Sequence, residues 1–598
     1  MVDDQTKRRL KKKFRSHQKE ATEAAQQIGQ QADDNIERLL IRRFGRLVAV
    51  RRFVALWILL FVLLFFATFF QMRGLADYYQ TLAPVPGGLY NEGVIGTFTN
   101  ANPMYASGTA DTAISRLVFS GLFKYDDKDR LVGDLADNWQ TGATPSQYIV
   151  KLKRVVKWQD GQPFTADDVV YTYKTIQNVD AQSPLYSSWQ SITVSKIDDY
   201  TVKFSLPNPL SSFPYSLTNG IVPEHLLSKI PPEELRSAQF NTAPIGTGPF
   251  VWKYVNVTGF NTQDRQQRIT LAANKQYFLG KPQLDGFNLI TFSDDSHMIS
   301  AFEKKQLNAM SGLESMPTEL ADDSSVQAYV TPLTTAVMAF FNDSQATLAD
   351  AKVRQALVGG VDRSNISKLG SYPVHLVDSP LLKDELGYDP TITQLPYNQA
   401  SANQLLDQEG WTRGADGVRS KNGVPLSFNI ATQDTQEYSR VASFLQDQWQ
   451  RLGVKTHVLY FDPDDLQNQV IASHSYDILL YGINLGVDPD VYAYWDSSQI
   501  SPTSQGHLNL SSYKSAAADQ ALEFGRTRTD TALRVAKYKA FLTAWKNDAP
   551  ALALYQPNYL YITRGPVYGI ARKAYNNSAD RFYNVYNWEI RQKRENAQ

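Results

Sequence analysis

Phe53 to Phe70 reads FVALWILLFVLLFFATFF, 18 residues without a charge, in which Thr68 is the only polar side chain. A helix of that length reaches about 27 Å, close to the hydrocarbon thickness of a bilayer. A core helix of a soluble protein keeps one polar face, and this segment has none. Arg42, Arg43, Arg46, Arg51 and Arg52 precede it, whereas Arg73 is the only basic residue between it and residue 100. The positive-inside rule then predicts a cytoplasmic N-terminus and more than 500 residues outside. About 50 residues precede the run, and FQMRGLADYY (70–79) offers no small-x-small cleavage site, so the expectation is an uncleaved anchor.

Charge divides the same way. Residues 1–52 carry 14 Lys/Arg against 7 Asp/Glu, a net of +7, which leaves −7 on the remainder of a neutral chain. The stretch KRRLKKKFR (7–15) fits a positive-inside signal lying against anionic lipid. A nucleic-acid binder would carry its basic surface on the folded part, so none is expected as partner. The chain has no cysteine, which excludes disulfides, thiol catalysis, thiolate metal sites and an acylated-cysteine lipid anchor.

Beyond the linker-like APVPGG (83–88), strand and helix patterns alternate. YTVKFSL (200–206) alternates apolar and polar residues as a half-buried strand does. Val441, Phe444, Leu445, Trp449 and Leu452 recur at helical spacing before Gly453, a natural helix stop, and Val454–Tyr460 reads as strand again. A second helix, about Ser401–Glu409, stops at Gly410. In 148–176 a strand leads through Asp160-Gly161 to a helix that Thr165 caps, with Asp168 as its capping-box partner. These units predict an α/β architecture. The residues after 590 are polar and predict a frayed end.

Several segments then carry a family resemblance in order along the chain. VKWQDGQPFTADDVVYTYKTI (156–176), NPM (102–104), SRLVFSGLFKYD (115–126), LADNWQ (135–140), APIGTGPF (243–250), NKQYFLGKPQLDGF (274–287), DAKVRQALVGGVDRSNI (350–366) and YDILLYGINLGVDPDVYAYWDSS (476–498) resemble the family 5 extracellular solute-binding proteins of bacterial ABC importers. That family serves peptides, nickel and some sugars. The resemblance implies a two-lobed, periplasmic-binding-protein-like α/β fold with a hinge and an extra subdomain in lobe I, preceded here by one transmembrane helix. The chain would divide into a basic helix-prone cytoplasmic head (1–52), the anchor (53–72), a linker (73–88), lobe I with its subdomain (89–340), lobe II (341–555) and a return to lobe I (556–592). Ligand binds between lobes that close over it.

The implied role is capture of a peptide or similar polar solute and its delivery to a permease. No Walker sequence is present, so the ATPase is a separate subunit and the receptor a monomer apart from the transporter. A signalling or scaffold protein built on the same fold is the alternative, motivated by the basic head and retained anchor. Enzyme readings find little: the seven histidines (17, 225, 297, 375, 457, 474 and 507) lack H-x-x-x-H spacing, no G-x-S-x-G occurs, and no cofactor or metal is implied.

By resemblance, ligand contacts are expected at Asn102 and Tyr105 on the first-lobe cleft edge, and at Trp411 in the second lobe. Further contacts are expected at Tyr481, Gly482, Ile483, Asn484, Asp488, Tyr492 and Trp495 around the binding strand and loop. Peptide-binding members place an aspartate before the Asp-Pro element to meet the peptide ammonium; here Asn484 and Leu485 precede Asp488-Pro489. That departure leaves the solute open, with Asp488 or Asp490 as substitutes. The aromatics suit either a cleft gripping varied ligands or a packed core.

Overall fold

The computed structural model describes residues 19–20, 22–26, 29, 51–259, 261, 264–370, 372–500, 508–570 and 574–596. The basic stretch 7–15 and Arg42, Arg43 and Arg46 therefore lie outside the described residues.

The chain divides into two units. The smaller comprises residues up to Ala83 together with Gln592–Gln598. Its helix Arg51–Tyr79 contains the span Phe53–Arg73, 21 residues whose side chains are exposed on every face. Such a helix reaches about 31 Å, and an apolar surface of that kind is stable in hydrocarbon rather than water. Two expectations are corrected in this unit. The segment after the span is helical to Tyr79 and then forms the strand Gln80–Val85. The C-terminal residues form the strand Arg591–Asn596 and pair with it, because a backbone ladder needs no apolar side chains.

The larger unit, Pro84–Arg591, holds two lobes. Lobe I is built on a seven-stranded sheet in the order Val326–Pro332, Asn558–Arg564, Ala309–Ser311, Leu89–Ile95, Gly286–Phe292, Gln266–Ala273 and Phe250–Thr258. Leu89–Ile95 runs parallel to both neighbours, and Asn558–Arg564 antiparallel to both of its own. A four-stranded antiparallel sheet, Ala136–Thr141, Gln147–Leu152, Thr201–Ser205 and Thr193–Asp198, forms the subdomain with helix Ala166–Ile176 against it. Thr165 caps that helix, and its backbone N–H donates to the Asp168 carboxylate at 2.9 Å. The same carboxylate accepts from Trp158 Nε1 and from the Glu224 N–H, so one cap residue also ties down two neighbouring segments.

Lobe II has a six-stranded sheet, His375–Leu376, Ala551–Gln556, Thr335–Phe341, Ile478–Asn484, Ser427–Gln433 and Lys455–Phe461. Thr335–Phe341 is apolar on both faces because both are covered. Val337, Ala339 and Phe341 enter one core, and Ala336, Met338 and Phe340 the other. The expected helices appear as Gln399–Gln408 and Gln436–Arg451, and the stop residues Gly410 and Gly453 take φ of +82° and +80°.

The chain crosses between the two large sheets twice, at Leu333–Thr334 and at Pro557. The crossings are bonded together: Leu333 N–H donates to the Pro557 carbonyl at 2.9 Å, and Gln556 Nε2 to the Leu333 carbonyl at 2.6 Å. Two short adjacent connections of this kind form a hinge. Glu92 on the strand Leu89–Ile95 and Arg581 on the short helical turn Ser578–Phe582 form a fully buried pair, with the hydroxyl of Tyr561 donating to Glu92 at 2.6 Å.

Candidate ligand-binding site

A cavity of about 950 Å³ lies between the lobes. It is at the upper end of the volumes that small-molecule sites occupy. The subdomain sheet supplies one wall through Trp139, Thr141 and Tyr148, extended by the turn Lys128–Leu131 and by Ser211, Pro214 and Tyr215. Lobe II supplies the other through His375–Asp378, Leu381–Glu385, Gly486–Asp488 and Arg534. Hinge residues Thr334 and Gln556 close the back.

The electrostatic centre of the lobe II wall is a buried ion pair. Arg534 donates from both terminal nitrogens to Asp488, at 3.0 and 2.7 Å. Burial pushes the Asp488 carboxyl up, while the guanidinium pulls it back toward the ionised form. Across the cleft, burial moves the hydroxyl of Tyr148 up to about 12, and Arg534 opposes that shift.

The lobes also meet directly. Ser212 Oγ donates to Asp490 Oδ2 at 2.8 Å, and the Ser211 N–H donates to the Arg526 carbonyl at 2.8 Å. Arg526 Nη2 reaches the same Asp490 oxygen at 3.2 Å and lies 4.1 Å above the ring of Tyr492. These contacts join the two lobes beside the cavity.

Of the ten residues the resemblance nominates, Asp488 lines this cavity. The other nine are placed otherwise, for physical reasons. Trp411 and Trp495 are packed into the two lobe II cores, where a large ring fills volume that solvent would otherwise occupy. Ile483 is buried in the same core as Trp495. Tyr481 is half-buried against it and directs its hydroxyl to Gln467. Gly482 leaves room for the Tyr438 hydroxyl, which a Cβ would meet at 2.9 Å. Tyr492 supports Arg526, and its hydroxyl bonds Ser498.

Asn484 is committed to the hinge. Its side-chain oxygen accepts from the Thr334 hydroxyl at 3.0 Å and the Gly486 N–H at 2.9 Å, and its amide donates to the Asn576 carbonyl. Asn102 is fully buried, donating to Asn241 Oδ1 and accepting from the Met104 N–H, and Tyr105 donates to the Ala181 carbonyl. Their neighbours Pro103 and Ala106 border a second cavity of about 480 Å³ in lobe I.

Sequence reasoning missed Arg534, Glu385, Tyr148 and Tyr215. A signal existed for the first. Arg534 shares one buried helix face with Tyr538, Phe541, Leu542 and Trp545, and an arginine at a core position requires a buried acid. Glu385 lies in a turn and Tyr215 in the short 3-10 helix Phe213–Thr218, both outside the two large sheets and without a periodic pattern, and offered none.

Residues 130–504 match the model of the bacterial extracellular solute-binding proteins, family 5. The oligopeptide-binding protein AppA of Bacillus subtilis is 29% identical over 487 residues, covering 79% of this chain and 87% of AppA. The AppA structure in complex with a nonapeptide superimposes with a TM-score of 0.67 at 26% identity, over 85% of this chain and 100% of AppA. NikZ of Campylobacter jejuni, in complex with Ni(L-His), gives a TM-score of 0.68 at 25% identity, over 84% of this chain and 99% of NikZ. Both neighbours share the two-lobed mixed α/β architecture.

Proposed function

The chain belongs to the bacterial extracellular solute-binding proteins, family 5, and from that membership we propose that it is the membrane-anchored receptor of an ABC importer, taking peptides between its lobes. The observation that carries this reading is the 950 Å³ cavity walled by both lobes, with the hinge behind it and interlobe hydrogen bonds beside it. A ligand touching both walls stabilises the closed form over the open one, and that difference is the signal a permease reads. The relatives' peptide and nickel ligands point to the family's range, and the cavity's size favours the peptide. Binding, not turnover, is the activity assigned to it.

The anchor reading rests on the exposed apolar span Phe53–Arg73 and on the arginines before it. It places the N-terminus in the cytoplasm and the lobes outside. Permease and ATPase subunits are the remaining partners, and the receptor acts as a monomer beside them.

The absence of cysteine makes the closure test simple. Gln190→Cys and Lys455→Cys, on exposed sites of lobe I and lobe II, take a spin-label pair in the full chain held in nanodiscs. A hexapeptide pool should narrow the interlabel distance distribution toward its short end. A distribution that saturating peptide leaves untouched would overturn the closure reading.

A further inference from the structure

We propose that the basic strand Arg591–Asn596, paired to the chain as it leaves the anchor helix, is a docking surface for the anionic lipid headgroups of the membrane that holds the anchor. The inference rests on the anchor reading above and adds to it a second attachment, made by charge.

The larger unit begins at Pro84 and ends at Arg591, so both of its chain ends run into the smaller unit. There they meet as a two-stranded ribbon, Gln80–Val85 beside Arg591–Asn596. The helix Arg51–Tyr79 runs unbroken from the apolar span toward this ribbon: residues 74–79 continue it past Arg73, and the strand starts at the next position, Gln80. Six helical residues rise about 9 Å, which carries the chain through a headgroup layer roughly 5–7 Å deep. The partner strand lies about 5 Å to the side of the first. Backbone geometry alone thus starts the ribbon within about one Debye length of the lipid phosphates.

The side chains delivered there are cationic. RQKREN (591–596) carries Arg591, Lys593 and Arg594 against the single acid Glu595. Arg591, Lys593 and Arg594 are exposed. Alternation along a strand sets Arg591 and Lys593 on one face and Arg594 on the other, so the ribbon presents a cation on either face it turns to the lipid. Arg591 also pins the start of the strand, its guanidinium packed so closely over Gly87 that an added Cβ would meet Nη1 at 3.0 Å.

Backbone pairing does not ask for these charges, since any polar side chains satisfy a solvated ladder. A membrane does. Residues 53–598 carry a net charge of −7 even with this strand included, so an anionic surface repels the ectodomain as a whole. Cations placed where the chain emerges from the bilayer reverse that sign at the point where the surface potential is strongest.

The absence of cysteine allows a single-probe test. Leu82→Cys, an exposed site on the partner strand, takes a bimane fluorophore in the full chain. The chain is placed in nanodiscs of phosphatidylcholine alone or with about one third phosphatidylglycerol, both containing the same fraction of lipid with a nitroxide quencher on its headgroup. Quenching in the neutral discs measures the tether alone. Quenching in the anionic discs should exceed it at least about twofold at about 0.05 M salt and return to it at about 0.5 M, where the screening length falls to about 4 Å. Arg591→Gln, Lys593→Gln and Arg594→Gln combined should lose the excess while the melting temperature stays within a few degrees. Arg591→Lys, Lys593→Arg and Arg594→Lys combined keep the charge and should keep the excess, which packing specific to each side chain would not.

Equal quenching in neutral and anionic discs, or an excess that survives the glutamine variant, overturns the docking surface and leaves the anchor standing. A second probe, at Leu63→Cys within the span, reports the anchor itself. Nitroxide on the lipid acyl chains should quench it in both kinds of disc, and no quenching there overturns the anchor reading.

Discussion

At the scale of single residues, the lobes depend on a few buried charges whose partners come from distant parts of the chain. Removing one partner of such a pair leaves the other charged and dry, which costs about 3–5 kcal/mol. Arg534→Ala should therefore lower the unfolding free energy by about that amount, read as a shift in denaturant midpoint at constant slope, because Asp488 is left buried. Replacing both residues together by Leu and Met should recover most of the loss; a double variant no better than the single one would contradict the pair as its cause. A second buried acid gives a pH signature. Burial raises the Asp343 carboxyl from 3.8 to about 8, against the pull of Arg354 at 3.3 Å. The folded protein then holds a proton there that the unfolded chain releases between about pH 4 and pH 8. This share of the stability is complete below pH 4, declines as pH rises through 8, and is flat above. Asp343→Asn should flatten that part of the profile, measured as denaturant midpoints from pH 5 to pH 8.5.

At the scale of elements, local chemistry explains where helices begin and end. Thr165 and Asp168 close a capping box that the residues 165–168 predict, and the structure adds that Asp168 also holds Trp158 and Glu224. Loss of the cap alone costs about 1 kcal/mol. Asp168→Ala should cost more than Thr165→Ala, since three hydrogen bonds leave with it; equal costs would show that the two cross-links contribute nothing. Gly453 ends its helix at positive φ, where an added Cβ meets the Gly417 carbonyl at 2.9 Å. Gly453→Ala should destabilise by about 1–2 kcal/mol in the same assay. The periodicity from Val441 to Leu452 announced this element. The strand Arg591–Asn596 went unread because its polar side chains carry no pattern, and its stability resides in backbone pairing.

At the scale of the whole molecule, the lobes are joined by contacts of their own beside the cavity. Ser211, Ser212, Asp490 and Arg526 join the lobes beside the cavity. Asp490→Ala removes the acceptor shared by Ser212 and Arg526, so the empty protein should open more often. The spin-label pair should then show a larger long-distance population without peptide, and peptide affinity should fall by the fraction of closed form lost. An unchanged distance distribution would assign closure to the hinge alone.

The amino-acid sequence by itself determined those features whose physics is local or one-dimensional. The uncharged run 53–70 forms one continuous helix that is apolar and exposed on every face, a surface suited to hydrocarbon. The α/β alternation, the capping box and the glycine stops follow from spacing within a dozen residues. Ordered family segments carried the two-lobed fold. The cleft was decided elsewhere. Asp488 and Arg534 stand 46 positions apart, and Glu92 and Arg581 stand 489 apart, so no window of sequence contains either pair. Of the aromatics at 481–495, tertiary packing alone decided that Trp495 fills a core and Tyr492 carries Arg526. An aromatic side chain suits a packed core and a binding wall equally well, and only the neighbours folding brings to it determine which it serves.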